Sequence, residues 1–132
     1  MEHDEPEIKL EEVPEKLYHI VPIKKFQNYT DIDGNYDSRN RNDFGGNVPF
    51  IHTAPSIEQI NKHLSYFHHL SDKRFYLLEI KASDLKDMKV TYNMVEDRIY
   101  HHLWDALNKN CYKVFLAEKD ENKKLRIIDK IS

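Results

Sequence analysis

"VPFIHTAPSIEQI", residues 48–60, is the stretch that decides the predicted fold. Its first half contains "PFIHT", a short apolar run of the kind that forms a β-strand. Ser56 and Gln59 then make an S-x-x-Q capping box, the usual signature of a helix start. The apolar face of the predicted helix is formed by Ile57, Ile60, Leu64 and Phe67. The stretch therefore predicts a strand that leads into the main helix, with His52 at the strand end.

Strand patterns lie on both sides of this stretch. In "KLYHIVP" the side chains alternate until Pro22, "RFYLLEIKA" is mostly apolar, and "MKVTYNMV" is a second extended segment. "CYKVFLAEK" and "KLRIIDKIS" flank "DEN" as a closing hairpin, and "IKKFQNY" has the length of one or two helical turns. Several strands with one main helix between them favour an α+β fold over alternating β-α units.

The chain divides into an N-terminal arm and one globular domain. Its 132 residues suit a single core. Residues 1–16 carry seven acids against two lysines, with only scattered apolar side chains, so we expect a flexible acidic arm. Residues 17–132 are the predicted globular domain. The arm is either a solubilising tail or a segment that docks on a protein partner.

A long polar loop follows the first predicted helical turns. Residues 30–47 are rich in Asp, Asn and Ser and hold all three glycines of the chain. Loops longer than about 12 to 15 residues in compact domains are usually functional or disordered. The stretch is therefore a candidate lid, with Arg39 and Arg41 at its centre.

Composition excludes several classes of function. The net charge is -3 and the basic residues are scattered among acids, so we expect no binding of extended nucleic acid, although a single nucleotide remains possible. The chain has one cysteine, Cys111, which predicts a reducing compartment and an inert thiol buried in a strand. With no membrane-spanning run and an acidic N-terminus, the expected location is cytoplasmic; secretion without a signal stays open.

The eight histidines are the main candidates for chemistry. His63, His68 and His69 do not share one helical face, so we predict no metal site. His52 and His102 lie among apolar residues, in "FIHT" and "HHLW". Each could bind a ligand or transfer a proton near neutral pH, or could be a half-buried residue bonded to backbone. The residues alone leave both readings open.

Four stretches in chain order resemble the bacterial domain-of-unknown-function family 952. They are "LYHIV", "FIHTAPSIEQI", "FYLLEIKASDLKD" and "YHHLWDALNKNCYKVFLA", and they span residues 17–117. That family is similar to the mono-ADP-ribosyltransferase fold, in which two small sheets flank a cleft that holds NAD. The resemblance implies a small two-sheet domain with its main helix after the second strand. It also makes NAD or another ADP-ribose-like nucleotide the expected ligand.

The resemblance also implies a set of site residues. His52 and His102 match the two histidines of the family and would face one pocket as the candidate catalytic groups. The implied ligand-binding residues are His52, His102, Tyr18, Thr53 and Trp104, with Arg39, Arg41 and Arg98 countering phosphate charge. The chain departs from the family at Pro49 and His101, and neither Glu79 nor Glu118 matches the catalytic glutamate of the transferases. A catalytically inactive module that binds a nucleotide or a protein is therefore the alternative.

Overall fold

The computed structural model describes residues 5–41, 47–62 and 72–132. These form a mixed α+β domain with two antiparallel sheets, which confirms the predicted class. The helices are α1 (Ile23–Tyr29) and α2 (Ile57–Lys62). The strands are β1 (Lys16–Pro22), β2 (Ile51–His52), β3 (Arg74–Lys81), β4 (Val90–Val95), β5 (Arg98–Leu103), β6 (Tyr112–Lys119) and β7 (Leu125–Lys130). One sheet has the order β1-β3-β6-β7 and the other β2-β5-β4.

The inner strand β3 of the four-stranded sheet is buried on both faces. Because side chains alternate along a strand, Leu78 and Ile80 of β3 pack in one apolar cluster and Phe75 and Leu77 in another. This burial explains why "FYLLEI" is nearly continuous in apolar residues, unlike a strand with one solvated face. The first of these clusters also contains Ile51 and Leu103 of the smaller sheet, so it joins the two sheets.

The three-stranded sheet positions the histidines. Leu103 in the central strand β5 pairs with Ile51 of β2 on one side and with Val90 of β4 on the other. All three belong to the core cluster. The residue before Leu103 on β5 is His102. His102 and its partners on the two neighbouring strands, His52 and Thr91, therefore form a row on the opposite face of the sheet.

The N-terminal segment packs along β4, which the prediction of a flexible arm did not anticipate. Ile8 N donates to Val90 O at 3.0 Å, and Tyr92 N donates to Pro6 O at 3.1 Å. Val13 is buried in the core. Composition missed this packing because a few apolar side chains and an unpaired strand edge are enough to hold a segment that is acidic on average. Residues 1–4 lie outside the described residues, and a domain boundary at residue 16 stays a prediction.

The main helix is described from Ile57 to Lys62, and the rest of its predicted length, with its three histidines, lies outside the described residues. Half of the predicted capping box forms. Ser56 Oγ accepts from Gln59 N at 3.1 Å, but Gln59 Nε2 donates to Ile99 O at 2.7 Å. The Gln59 side chain thereby ties the start of α2 to β5.

Cys111 does not lie in a strand. It ends a 3₁₀ turn, Lys109–Cys111, whose start is capped by Asn108, and its thiol is only half-buried. Its Sγ is 3.3 Å from Asp84 O, and burial raises the pKa of the thiol. No helix among the described residues is both long and apolar enough to cross a membrane.

Candidate functional site

The structure brings His52 and His102 together. They are direct partners across β2 and β5, and Thr91 of β4 continues the same row on the other side of His102. The two imidazole centroids are 5.0 Å apart, with the ring planes nearly perpendicular at 86°. His52 is exposed, whereas His102 is only 4% exposed. A molecule that approaches this row therefore meets His52 first.

Glu5 is a member of the site that sequence reasoning missed. Its Oε1 lies 2.7 Å from His102 Nδ1 and accepts a hydrogen bond from Thr91 Oγ1 at 2.6 Å. Trp104 Nε1 in turn donates to Thr91 Oγ1 at 2.8 Å. Local patterns give no signal for Glu5, because the glutamate and the histidine are 97 residues apart in the chain.

His102 is expected to be neutral at pH 7. Burial is the largest influence and lowers the pKa of its imidazole, and the nearby His52 and His101 lower it further. The hydrogen bond and the charge of Glu5 oppose this effect. Since the net direction is downward from an ordinary value of 6.5, the ring is uncharged near neutral pH.

Aromatic side chains enclose the buried histidine. Phe50 stacks on His102 with centroids 4.0 Å apart and planes within 8°, and it meets His52 edge-on at 5.2 Å. The Trp104 ring is 5.3 Å from Phe50, and Lys89 Nζ lies 4.4 Å from the Trp104 centroid. Phe50 and Lys89 were not among the predicted site residues. Phe50 shields His102 from water, and the cation–π contact puts a positive charge beside the row.

Tyr18 and Thr53 have other partners. Tyr18 OH donates to Glu79 Oε2 at 3.3 Å on the four-stranded sheet. Thr53 is buried, and its N and Oγ1 both donate to His101 O, at 3.1 and 2.6 Å. Thr53 thus extends the pairing of β2 with β5 and supports the backbone beside His52.

Of the three arginines predicted to counter phosphate charge, Arg39 makes its hydrogen bonds nearest to the row. Its guanidinium donates to both carboxylate oxygens of Asp37 at 2.9 Å and to Trp104 O at 2.8 Å. Arg41 donates to Asp37 O and stacks over the Tyr29 ring at 4.9 Å. Arg98 pairs with Glu96 at the far end of the β4–β5 hairpin. Arg39 therefore fixes the backbone next to Trp104, with its charge already balanced by Asp37.

Residues 30–41 of the predicted lid are held in the core through Tyr36, and residues 42–46 lie outside the described residues. Tyr36 is 0% exposed, and its N and O pair with the O and N of Leu107, both at 2.8 Å. Its hydroxyl is 2.7 Å from His19 Nε2, and His19 Nδ1 is 2.6 Å from His52 O. A carbonyl only accepts, so His19 donates from Nδ1 and Tyr36 donates to Nε2. This buried pair supports the backbone of His52 from behind.

Two buried polar atoms, His101 Nδ1 and Asn93 Oδ1, have no hydrogen-bond partner among the described residues. Within 5–41, 47–62 and 72–132, no three His, Cys, Asp or Glu side chains are grouped to hold a metal ion.

Comparison of the chain with protein-family models, curated proteins and solved structures finds no match.

Proposed function

We propose that this chain is a nucleotide-binding domain of ADP-ribosyltransferase-like type, and that it binds NAD or an ADP-ribose-like ligand at the His52–His102 row. The observation that carries the proposal is the meeting of the two histidines, with one exposed and the other buried behind it. The resemblance to family 952 requires this juxtaposition, since both family histidines would face one pocket.

The chemistry of the row suits a ribose or a phosphate. An exposed imidazole donates to or accepts from a ribose hydroxyl, and when protonated it binds a phosphate oxygen with a charge-assisted hydrogen bond. The half-exposed Lys89 adds a positive charge beside Trp104, although a long, exposed ion pair with Glu7 at 3.9 Å offsets part of it. Arg39 contributes less to phosphate binding, because Asp37 balances its charge.

The positions of Glu79 and Glu118 favour binding of the nucleotide without ADP-ribosyl transfer. Glu79 is engaged by Tyr18 and by Lys16, and Glu118 by Lys73 and Arg74, all around the four-stranded sheet. Transfer needs a carboxylate, or an equivalent group, aimed at the reacting carbon. Neither of these two glutamates is a member of the histidine row, and the carboxylate that does lie there, Glu5, is bonded to His102 and Thr91.

Acid–base catalysis on a bound nucleotide is the second candidate. It is favoured by one contact, the 2.7 Å approach of Glu5 Oε1 to His102 Nδ1. A carboxylate in this position orients an imidazole and raises its basicity, as in many hydrolytic sites. Turnover of NAD or ADP-ribose by the wild type would select this candidate over binding alone.

Substitution of His52 tests the proposal. We expect His52→Ala to weaken binding of ADP-ribose or NAD by about tenfold or more, since a hydrogen bond to a charged group contributes about 1.5–3 kcal/mol. Isothermal titration calorimetry measures the affinity. The control is Arg126→Ala, which replaces an exposed residue on β7 of the four-stranded sheet. Folded wild type that binds neither ligand, or a His52→Ala variant that binds as tightly as wild type, would exclude this site.

A further inference from the structure

We propose that Glu5 is a positioning residue that holds the His102 imidazole with its proton on Nδ1 and its acceptor lone pair on Nε2. The N-terminal segment is then an integral part of the histidine site. The use of this lone pair by a ligand rests on the function proposed above, but the orientation of the ring does not.

Backbone pairing delivers Glu5 to the site. Glu7 forms an antiparallel bridge with Thr91, and the bonds of Pro6 and Ile8 to β4 hold the residues on either side of it. The Glu7 carboxylate adds a long, exposed ion pair with Lys89 at 3.9 Å. With its neighbours fixed in this way, the Glu5 side chain crosses β4 and reaches β5. Its side chain is only 16% exposed, which is low for a glutamate.

The donors and acceptors of the row settle the direction of each hydrogen bond. An indole N–H only donates, so Thr91 Oγ1 accepts from Trp104 Nε1 and directs its own proton to Glu5 Oε1. An ionised carboxylate only accepts, so the remaining short contact requires a proton on His102 Nδ1. In the neutral imidazole the acceptor is then Nε2.

The rest of the environment agrees with a neutral, oriented ring. Phe50 stacked on one face limits rotation of the imidazole and excludes water. The titratable groups that influence His102 are Glu5, His52 and His101, and only Glu5 favours the protonated form. Removal of the Glu5 charge should therefore lower the pKa of His102, whereas a purely structural contact would change the stability alone.

Long-range ¹H–¹⁵N NMR of the histidine side chains in the ligand-free chain of 132 residues tests the inference. The His102 signals are assigned by their loss in His102→Gln. At pH 8 the wild type should show the Nδ1–H tautomer. Glu5→Gln should lower the pKa of His102 by about one pH unit or more, and Glu5→Ala should shift the ring toward the Nε2–H tautomer. Thr91→Val, which removes one hydrogen-bond donor to Glu5, should change the pKa and the tautomer of His102 less than the Glu5 substitutions do.

The outcomes separate this inference from the proposed function. A wild-type Nε2–H tautomer, or an unchanged tautomer and pKa in Glu5→Gln, would overturn it even if nucleotides bind. If Glu5→Ala does not fold, the milder Glu5→Gln decides. If no nucleotide binds but the tautomer and pKa respond as expected, Glu5 still positions His102, and only the ligand proposed for the row is wrong.

Discussion

Tyr36→Ala should lower the free energy of unfolding by about 3–5 kcal/mol, the range for removing a large aromatic side chain from a core. Tyr36 is fully buried in the middle of the polar loop between α1 and β2. Its ring stacks on Phe26 at 5.6 Å and meets three further rings edge-on, those of His19, Tyr29 and Tyr112. Truncation would leave a cavity among these rings and detach the loop from the sheets.

Tyr36→Phe is the matched control, because it keeps the ring and removes only the hydroxyl. It leaves His19 Nε2 buried without its donor, which costs about 1–3 kcal/mol. Urea unfolding followed by circular dichroism gives both values. A Tyr36→Ala variant that is no less stable than Tyr36→Phe would show that the loop does not pack as described.

His19 should make the protein less stable in acid. Burial lowers the pKa of its imidazole to about 4 in the folded chain, against 6.5 as its ordinary value. Between these values the unfolded chain binds a proton that the folded chain does not, so stability is complete above pH 6.5 and falls as the pH drops. The difference amounts to about 3 kcal/mol by pH 4, at about 1.4 kcal/mol per pH unit.

The comparison with His19→Gln isolates this effect from the other titrating groups. Glutamine has a donor and an acceptor but no proton to gain in this range. Between pH 7 and pH 4.5 the wild type should lose about 2 kcal/mol more of its unfolding free energy than the variant does. Equal losses in the two proteins would mean that His19 is not held neutral in the core.

The strands whose apolar residues alternate or are continuous were predictable from the sequence. The strand β5 was not predicted. β1, β3 and the β6–β7 hairpin read clearly from the sequence because burial imposes a regular pattern on them. β5 is "RIYHHL", a polar stretch with no such pattern. It is a strand because β2 and β4 pair on its two edges, which is a property of the whole sheet.

The candidate site was predictable only in part, through His52, His102 and Trp104. The apolar neighbours of His52 and His102 drew attention to them, and their pairing follows from the register of β2 and β5. Glu5 and Phe50 complete the site through contacts that no local pattern records. Glu5 was overlooked for a physical reason, since the average charge of the first residues hides the single carboxylate that is buried.

The most direct test of the site is a titration of the wild-type protein with ADP-ribose, followed by NMR of the histidine side chains. The binding site proposed for the row predicts saturable changes in the signals of His52 and His102, larger at the exposed His52 than at the buried His102. The signals of His19, which lies in the core behind β2, should move less. Saturable changes confined to other residues, or no change in a folded protein at millimolar ligand, would contradict a nucleotide site at this row.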